Sequence, residues 1–323
     1  MRTVPSTEPP DRDLRDWLSA CDFDLLTAQP LAGDVSPRRY QRLTAADGAT
    51  AILALYPPEL LPALERFARS TAILNAADVP VPRILAADGA RGWMLLEDLG
   101  SATLADLGDR PGPELALYFD HAAALAARIA ALPPEEVRDL NPPLGRELLR
   151  RELAQTRQVF LEPRGLMAEP LEAALDALCT ALAADPPVPC HRDFMARNLV
   201  PVGPGRVAVL DHQDLRLGPP AYDLASLLND TLFPPPEVED RLVAADRLRY
   251  HRAAAQRTLK AAGTYAAFAQ RGSDRHLRLV APTLRRFLGH FGRVAEGEHL
   301  APRLARAWAA ALADPALGGA QLR

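Results

Sequence analysis

His191-Arg192-Asp193 is followed, five residues after the aspartate, by Asn198 and then by Val209-Leu210-Asp211. Transfer of a phosphoryl group to a hydroxyl asks for few protein groups. A carboxylate must sit beside the attacking hydroxyl, and an amide oxygen and a second carboxylate must hold Mg²⁺ against the ATP phosphates. Asp193, Asn198 and Asp211 are three such groups in that order. Between them, residues 198–200 and 206–210 read as two short strands joined by a Gly203-Pro204-Gly205 turn. A hairpin of that kind carries Asn198 and Asp211 to the same end, where both reach one metal ion. An isolated Asp-x4-Asn is common by chance; the spaced set is far rarer.

The elements around this set fall into two textures. Asp13–Ala20 reads as a short helix. Leu31–Tyr40 reads as a turn-rich loop that runs into a strand over 40–44, and Asp47-Gly48 signals a hairpin to a returning strand over 50–56. Residues 62–77 have helical periodicity, with Leu64, Phe67, Ala68, Thr71 and Leu74 on one side. Two more strands, 81–86 and 92–97, flank an Asp88-Gly89 turn. Past Leu99-Gly100 the chain turns to Ala- and Leu-rich helices: 114–131, 146–160, 171–183, one beginning at 221, and most of 238 onward. The expected class is α+β and bilobal. A small antiparallel sheet lobe spans 13–98 after a polar tail over 1–12, and a larger, mostly helical lobe spans 99–323.

At 323 residues, with 48% hydrophobic and 24% charged residues, the chain has the composition of a soluble globular protein. No apolar run reaches the roughly 18 residues that span a bilayer, and the Pro-rich start lacks the apolar core of a secretory signal. Cys21, Cys179 and Cys190 are odd in number and lack metal-ligand spacing, so they read as reduced core thiols in a cytoplasmic protein. From Arg241 onward there are 15 basic against 5 acidic residues, while the whole chain carries −4. Such asymmetry fits either an anionic partner or arginines on solvated helix faces. No nucleic-acid recognition module is visible, and a monomer without membrane partners is expected.

Across roughly 14–297 the sequence resembles the aminoglycoside-phosphotransferase-like branch of the kinase fold, and within it the bacterial kinases of N-acetylmuramate and N-acetylglucosamine. The stretches that carry the resemblance are Leu31–Tyr40, Met94–Gly100, His191–Asn198, Val209–Asp214, Gly218–Leu228 and Gln256–Gly263. It implies a protein-kinase-like fold with ATP and Mg²⁺ as cofactors. Asp193 would be the base or hydroxyl-orienting carboxylate, and Asn198 and Asp211 would bind the metal. Gly33, Asp34 and Ser36 would cover the phosphates with backbone amides. Glu97 and Leu99 would meet the adenine edge, and Asp223 would prop the His-Arg-Asp loop. His212 is read as an ordinary polar neighbour of the metal, and Trp93 and Phe194 as packing residues.

One departure stands out. Such folds usually place a lysine on the third strand to grip the phosphates, but here that strand is Ala51–Tyr56 and Lys260 is the only lysine among 37 basic residues. Arg38, Arg39 or Arg42 could replace it, because guanidinium suits phosphate bidentately, with Glu65 as a pairing carboxylate. Asp214, Arg197, Gln256 and Lys260 are candidate substrate contacts. Asp214 has a structural alternative, and so has Arg197. Gln256 and Lys260, one helical turn apart, could instead form a solvated face. The expected function is ATP-dependent phosphorylation of a sugar hydroxyl, with the anomeric position of the two amino sugars foremost. An aminoglycoside kinase is the alternative enzyme, disfavoured by the basic C-terminal part. A nucleotide-binding pseudokinase is the alternative without catalysis.

Overall fold

The computed structural model describes residues 12–31 and 37–319. The tail predicted over 1–12, save Arg12, and the turn holding Gly33, Asp34 and Ser36 therefore lie outside the described residues. The chain divides into two compact units. One contains the described residues up to Ser101 together with Ala208–Gln213; the other contains Ala102–Val207 and the chain from Asp214 on.

In the first unit, helix α1 (Arg12–Ala20) precedes strands β1 (Leu25–Leu31), β2 (Arg39–Ala45) and β3 (Thr50–Leu55). Helix α2 (Leu61–Ala76) follows, then β4 (Ile84–Asp88) and β5 (Trp93–Glu97). The strands form one sheet in the order β1-β2-β3-β5-β4, antiparallel throughout. Period-two alternation decides what each face buries. Leu43, Ala51, Leu53 and Leu95 pack with Leu14 and Leu18 of α1. Ala54, Met94 and Leu96 face the other way, onto Leu64 and Phe67 of α2. The sequence reading began its loop at Leu31 and missed β1. That strand is an edge, half exposed along its length, and it carries Pro30, which a sheet tolerates only where one side is unpaired. Burial of alternate apolar residues, the usual sign of a strand, is weak there.

The second unit holds α3 (Gly112–Ala130), the single turn α4 (Pro134–Val137), α5 (Arg146–Thr156) and α6 (Glu169–Ala184). Then come β6 (Val188–Cys190), β7 (Leu199–Gly203), β8 (Arg206–Val209, whose last two residues belong to the first unit) and β9 (Arg216–Gly218). Helices α7 (Tyr222–Leu228), α8 (Pro236–Leu242), α9 (Arg247–Gln270) and α10 (Val280–Phe291) follow. The predicted hairpin exists as the pair β7–β8, although Ala196–Asn198 form a 3-10 turn and the first strand starts only at Leu199. A second short pair, β6–β9, was not foreseen; three-residue strands leave no periodicity to detect. Helix α5 ends four residues before the predicted Phe160, where the backbone opens into a π turn over Arg157–Leu161.

Helix α9 is the spine of this unit. Fourteen of its 24 residues are buried, eight of them alanine or glycine, so neighbouring helices approach closely. A Cβ added at Gly263 would lie 2.6 Å from Thr156 Cα of α5. No helix among the described residues is long and apolar enough to cross a membrane. Cys179 and Cys190 are buried free thiols as expected, but Cys21 is only partly buried.

Candidate active site

The His-Arg-Asp loop leaves β6 and is fixed from behind by α7. Asp223 accepts the backbone N–H of His191 at 2.6 Å and that of Arg192 at 2.9 Å. Arg192 needs such restraint, because its φ of +75° lies in the left-handed region that side chains disfavour. Burial pushes the Asp223 carboxyl up to about 6, against the opposing pull of His191 and the two N–H bonds. Ala221 and Asp211 also have left-handed backbones, at φ +63° and +58°. Three strained residues within the motif stretches are what a pre-organised site looks like.

Asp193 sits among cations. Its Oδ1 is 3.5 Å from Lys260 Nζ and 3.4 Å from Arg257 Nη2, while Oδ2 is 3.9 Å from Arg192 Nε. Burial alone would raise this carboxyl, but Lys260, Arg257 and Arg192 overcome it and hold it far below the usual carboxylate range. It is an ionised acceptor across the physiological range. Asn198 Nδ2 donates to the Asp193 backbone oxygen at 2.9 Å. That fixes the amide and leaves its own oxygen as an unengaged acceptor, the group a hard cation needs.

Behind Asp193 lies a second carboxylate that the sequence did not disclose. Glu152 of α5 is buried. Its Oε1 meets Arg192 Nη2 at 2.9 Å and Lys260 Nζ at 3.1 Å, and its Oε2 accepts from Gln256 Nε2 at 3.3 Å. Burial would raise Glu152, yet Lys260 and Arg192 hold it below its usual range. Burial likewise pulls the Lys260 ammonium down, with Asp193 and Glu152 opposing.

The solvated-face reading of Gln256 and Lys260 is therefore wrong. Gln256 is wholly buried and bonded to Tyr222, Leu149 and Glu152. Arg257, next to it, was given no role, yet it reaches Asp193 and Ser226. Arg197 pairs with the buried Asp230 at 3.1 Å, which ties it into the loop. Asp214 bridges Arg192 at 2.8 Å and Arg216 at 3.3 Å. Phe194 is buried core, in edge contact with His191.

In the first unit, Asp211 Oδ1 accepts from Gln213 Nε2 at 2.6 Å and lies 3.6 Å from Arg38 Nη2. Among the described residues its Oδ2 carries no hydrogen bond, and the side chain is half exposed. The Arg38 guanidinium is mostly buried, 5.8 Å from the ring centres of both Tyr40 and Tyr56. Burial works against its charge, but Tyr40 and Asp211 outweigh it and raise its pKa. Arg39 is exposed. Arg42 is engaged elsewhere, by Asp98 at 2.7 and 3.0 Å and the Gly100 oxygen at 2.9 Å. Glu65 is exposed on α2 and is not the carboxylate that pairs with Arg38 or Arg42. Glu97 ends β5 and accepts from Arg83; Leu99 is partly exposed two residues on. His212 is buried, bonded to Thr71 at 2.8 Å and packed at a tilt on the Phe67 ring. Trp93 packs on Trp17.

Among the described residues, no group of three or more His, Cys, Asp or Glu is placed to hold a metal alone. In the second unit the Asn198 amide oxygen, and in the first unit one Asp211 carboxylate oxygen, receive no hydrogen bond from a described residue; each is a hard oxygen donor of the kind Mg²⁺ takes.

Residues 27–257 match the model of the phosphotransferase enzyme family. The chain is 30% identical to the N-acetylmuramate/N-acetylglucosamine kinase of Neisseria meningitidis serogroup B, across 87% of this chain and 90% of that protein. It is 31% identical to the protein of the same name from Caulobacter vibrioides, across 93% and 92%. The crystal structure of a choline kinase from Streptococcus pneumoniae superposes with a TM-score of 0.60 over 86% of this chain and 98% of that one, at 13% identity. That likeness shows the fold, which is the protein-kinase-like α+β fold expected from the sequence.

Proposed function

The chain belongs to the phosphotransferase enzyme family, and from that premise we propose that it transfers the γ-phosphoryl group of ATP to the anomeric hydroxyl of an N-acetylated amino sugar. N-acetylmuramate and N-acetylglucosamine are the proposed acceptors, in cell-wall recycling. The observation that carries this reading is similarity to kinases named for those two sugars over about nine tenths of their length.

The residues support the chemistry. Asp193 is held ionised by Lys260, Arg257 and Arg192, so it is an acceptor that orients the attacking hydroxyl; being a weak base it receives the proton only late, as the new P–O bond forms and the bond to ADP breaks. No covalent enzyme intermediate is needed. Asn198 and Asp211 would hold Mg²⁺, which supplies neutralising charge at the phosphates when bound. Arg38, Arg39 and the turn with Gly33, Asp34 and Ser36 would bind the phosphates, and the backbone at Glu97 and Leu99 the adenine.

The test is ATP consumption with a panel of amino sugars, sugar acids and aminoglycosides, with phosphorus NMR of the product. An anomeric phosphate of either amino sugar is expected. Turnover only with an aminoglycoside would replace the acceptor class. ATP binding without turnover on any acceptor would leave a pseudokinase.

A further inference from the structure

Lys260, the only lysine of the chain, sits between two carboxylates, 3.1 Å from Glu152 Oε1 and 3.5 Å from Asp193 Oδ1. Its neighbour Arg257 reaches the same Asp193 oxygen at 3.4 Å. Both come from α9, which is buried along most of its length and so is a rigid base. Glu152 is itself anchored by Arg192, Gln256 and Tyr222, which fixes the ammonium from the far side. The consequence is an asymmetry between the two Asp193 oxygens. Oδ1 is engaged by two cations. Among the described residues, Oδ2 has only Arg192 Nε at 3.9 Å, beyond hydrogen-bond reach.

We propose that Lys260 is a positioning residue: braced by Glu152 and acting with Arg257, it clamps Oδ1 of Asp193, so that Oδ2 is the oxygen presented to the acceptor hydroxyl. Lys260 is thereby removed from the sugar contacts. The part given to Oδ2 rests on the hydroxyl-phosphorylation reading above; the clamp itself does not. A fixed carboxylate matters because a misorientation of about 1 Å at the reacting centre can cost on the order of 10²-fold in rate. A lysine ammonium, a compact point charge, suits a bridge between two carboxylate oxygens.

A single lysine allows a direct test. Protein grown on lysine labelled with ¹³C at Cε should show one lysine Cε resonance. Its titration midpoint should fall by about one pH unit or more in Asp193→Asn, because a neighbouring anion that favours the ammonium has gone. An unchanged midpoint in the folded variant overturns the clamp, whether or not the enzyme turns over any sugar.

Kinetics provide the second arm. Lys260→Met should lower kcat by about tenfold or more and leave both KM values within about twofold, the pattern of a lost transition-state interaction. Lys260→Arg should recover a measurable part of kcat. A Lys260→Met loss confined to the sugar KM would make Lys260 a substrate contact and overturn the proposal, as would wild-type kcat in a folded variant. If Lys260→Met does not fold, the resonance in Asp193→Asn decides. Absence of turnover by the wild type on every acceptor would instead count against the functional reading, and the titration would still judge the clamp.

Discussion

Glu152→Gln is the sharpest probe of the buried charges at the residue scale. The substitution keeps shape and removes the charge that Arg192 and Lys260 share. Arg192 keeps Asp214 and Lys260 keeps Asp193, so the loss should fall below the about 3–5 kcal/mol of a buried cation left with no partner. The sign of its pH dependence follows from the carboxyl being held below its usual range despite burial. Stability from an ionised group of that kind is complete above the unfolded-state value and is lost as pH falls through the folded-state one. Urea unfolding should therefore show the full deficit of Glu152→Gln at neutral pH and a shrinking one as glutamate protonates. A deficit independent of pH would mean the loss is packing rather than charge. Asp193→Asn should lower kcat by about 10²–10⁴-fold, the usual contribution of a positioned acid–base group, in a protein whose circular dichroism and melting are close to wild type. Near-wild-type turnover would remove Asp193 from the reaction. Its candidacy was legible because His-Arg-Asp and Asn198 lie within eight residues. Glu152 was not, because it meets Arg192 from 40 positions away and nothing in Arg151-Glu152-Leu153 marks it.

At the scale of elements, α9 sets the geometry of the clamp through its fit to α5. Thr156 Oγ1 donates to the Leu259 backbone oxygen at 3.1 Å, and Gly263 faces the Thr156 backbone, where a Cβ would be 2.6 Å from its Cα. Backbone cannot swing aside, so Gly263→Ala should cost about 1–3 kcal/mol as overpacking. It should also lower kcat, because Lys260 lies one turn away on the same helix. Gly289 of α10 is the control. It is exposed, and an added Cβ would meet only the flexible Arg293 side chain at 3.5 Å. Gly289→Ala should stabilise by about 0.5–1 kcal/mol through helix propensity. Thermal melts of the two variants moving in the same direction would defeat this account of the α5–α9 contact. Helical periodicity alone revealed most of these helices, but it could not say which face of α9 was buried. Alanine-rich helices have little amphipathic contrast, so the sequence left Gln256 and Lys260 open between substrate contacts and a solvated face. The opposite error befell β1, whose half-exposed edge position gave too little contrast to register.

For the molecule as a whole, the charge asymmetry along the sequence is partly offset by ion pairs inside the second unit. Arg241 pairs with Asp120, Arg249 with Asp185 and Arg286 with Glu239, each at 2.7–2.9 Å, and Arg257 and Lys260 answer Asp193 and Glu152. These five cations of the basic C-terminal segment thus meet carboxylates from earlier in the chain. Exposed pairs among them contribute about 0–1 kcal/mol each. Positive charge for a triphosphate must then come from elsewhere, and Arg38 is placed for it. It lies beside Asp211 between two tyrosine rings, an arrangement that keeps it charged and aimed. Saturating MgATP at about 100 times its Kd should stabilise the wild type by about 2.7 kcal/mol. Arg38→Ala should weaken ATP about tenfold, equivalent to about 1.4 kcal/mol, and so cut the MgATP-induced stabilisation at the same concentration to about half. Arg38→Lys should fall between, restoring charge but not the planar fork. Thermal melts with and without MgATP measure all three, and calorimetry gives the affinities directly. An unchanged MgATP shift in Arg38→Ala would show that the triphosphate is neutralised without this arginine and that its pairing with Asp211 serves the fold alone.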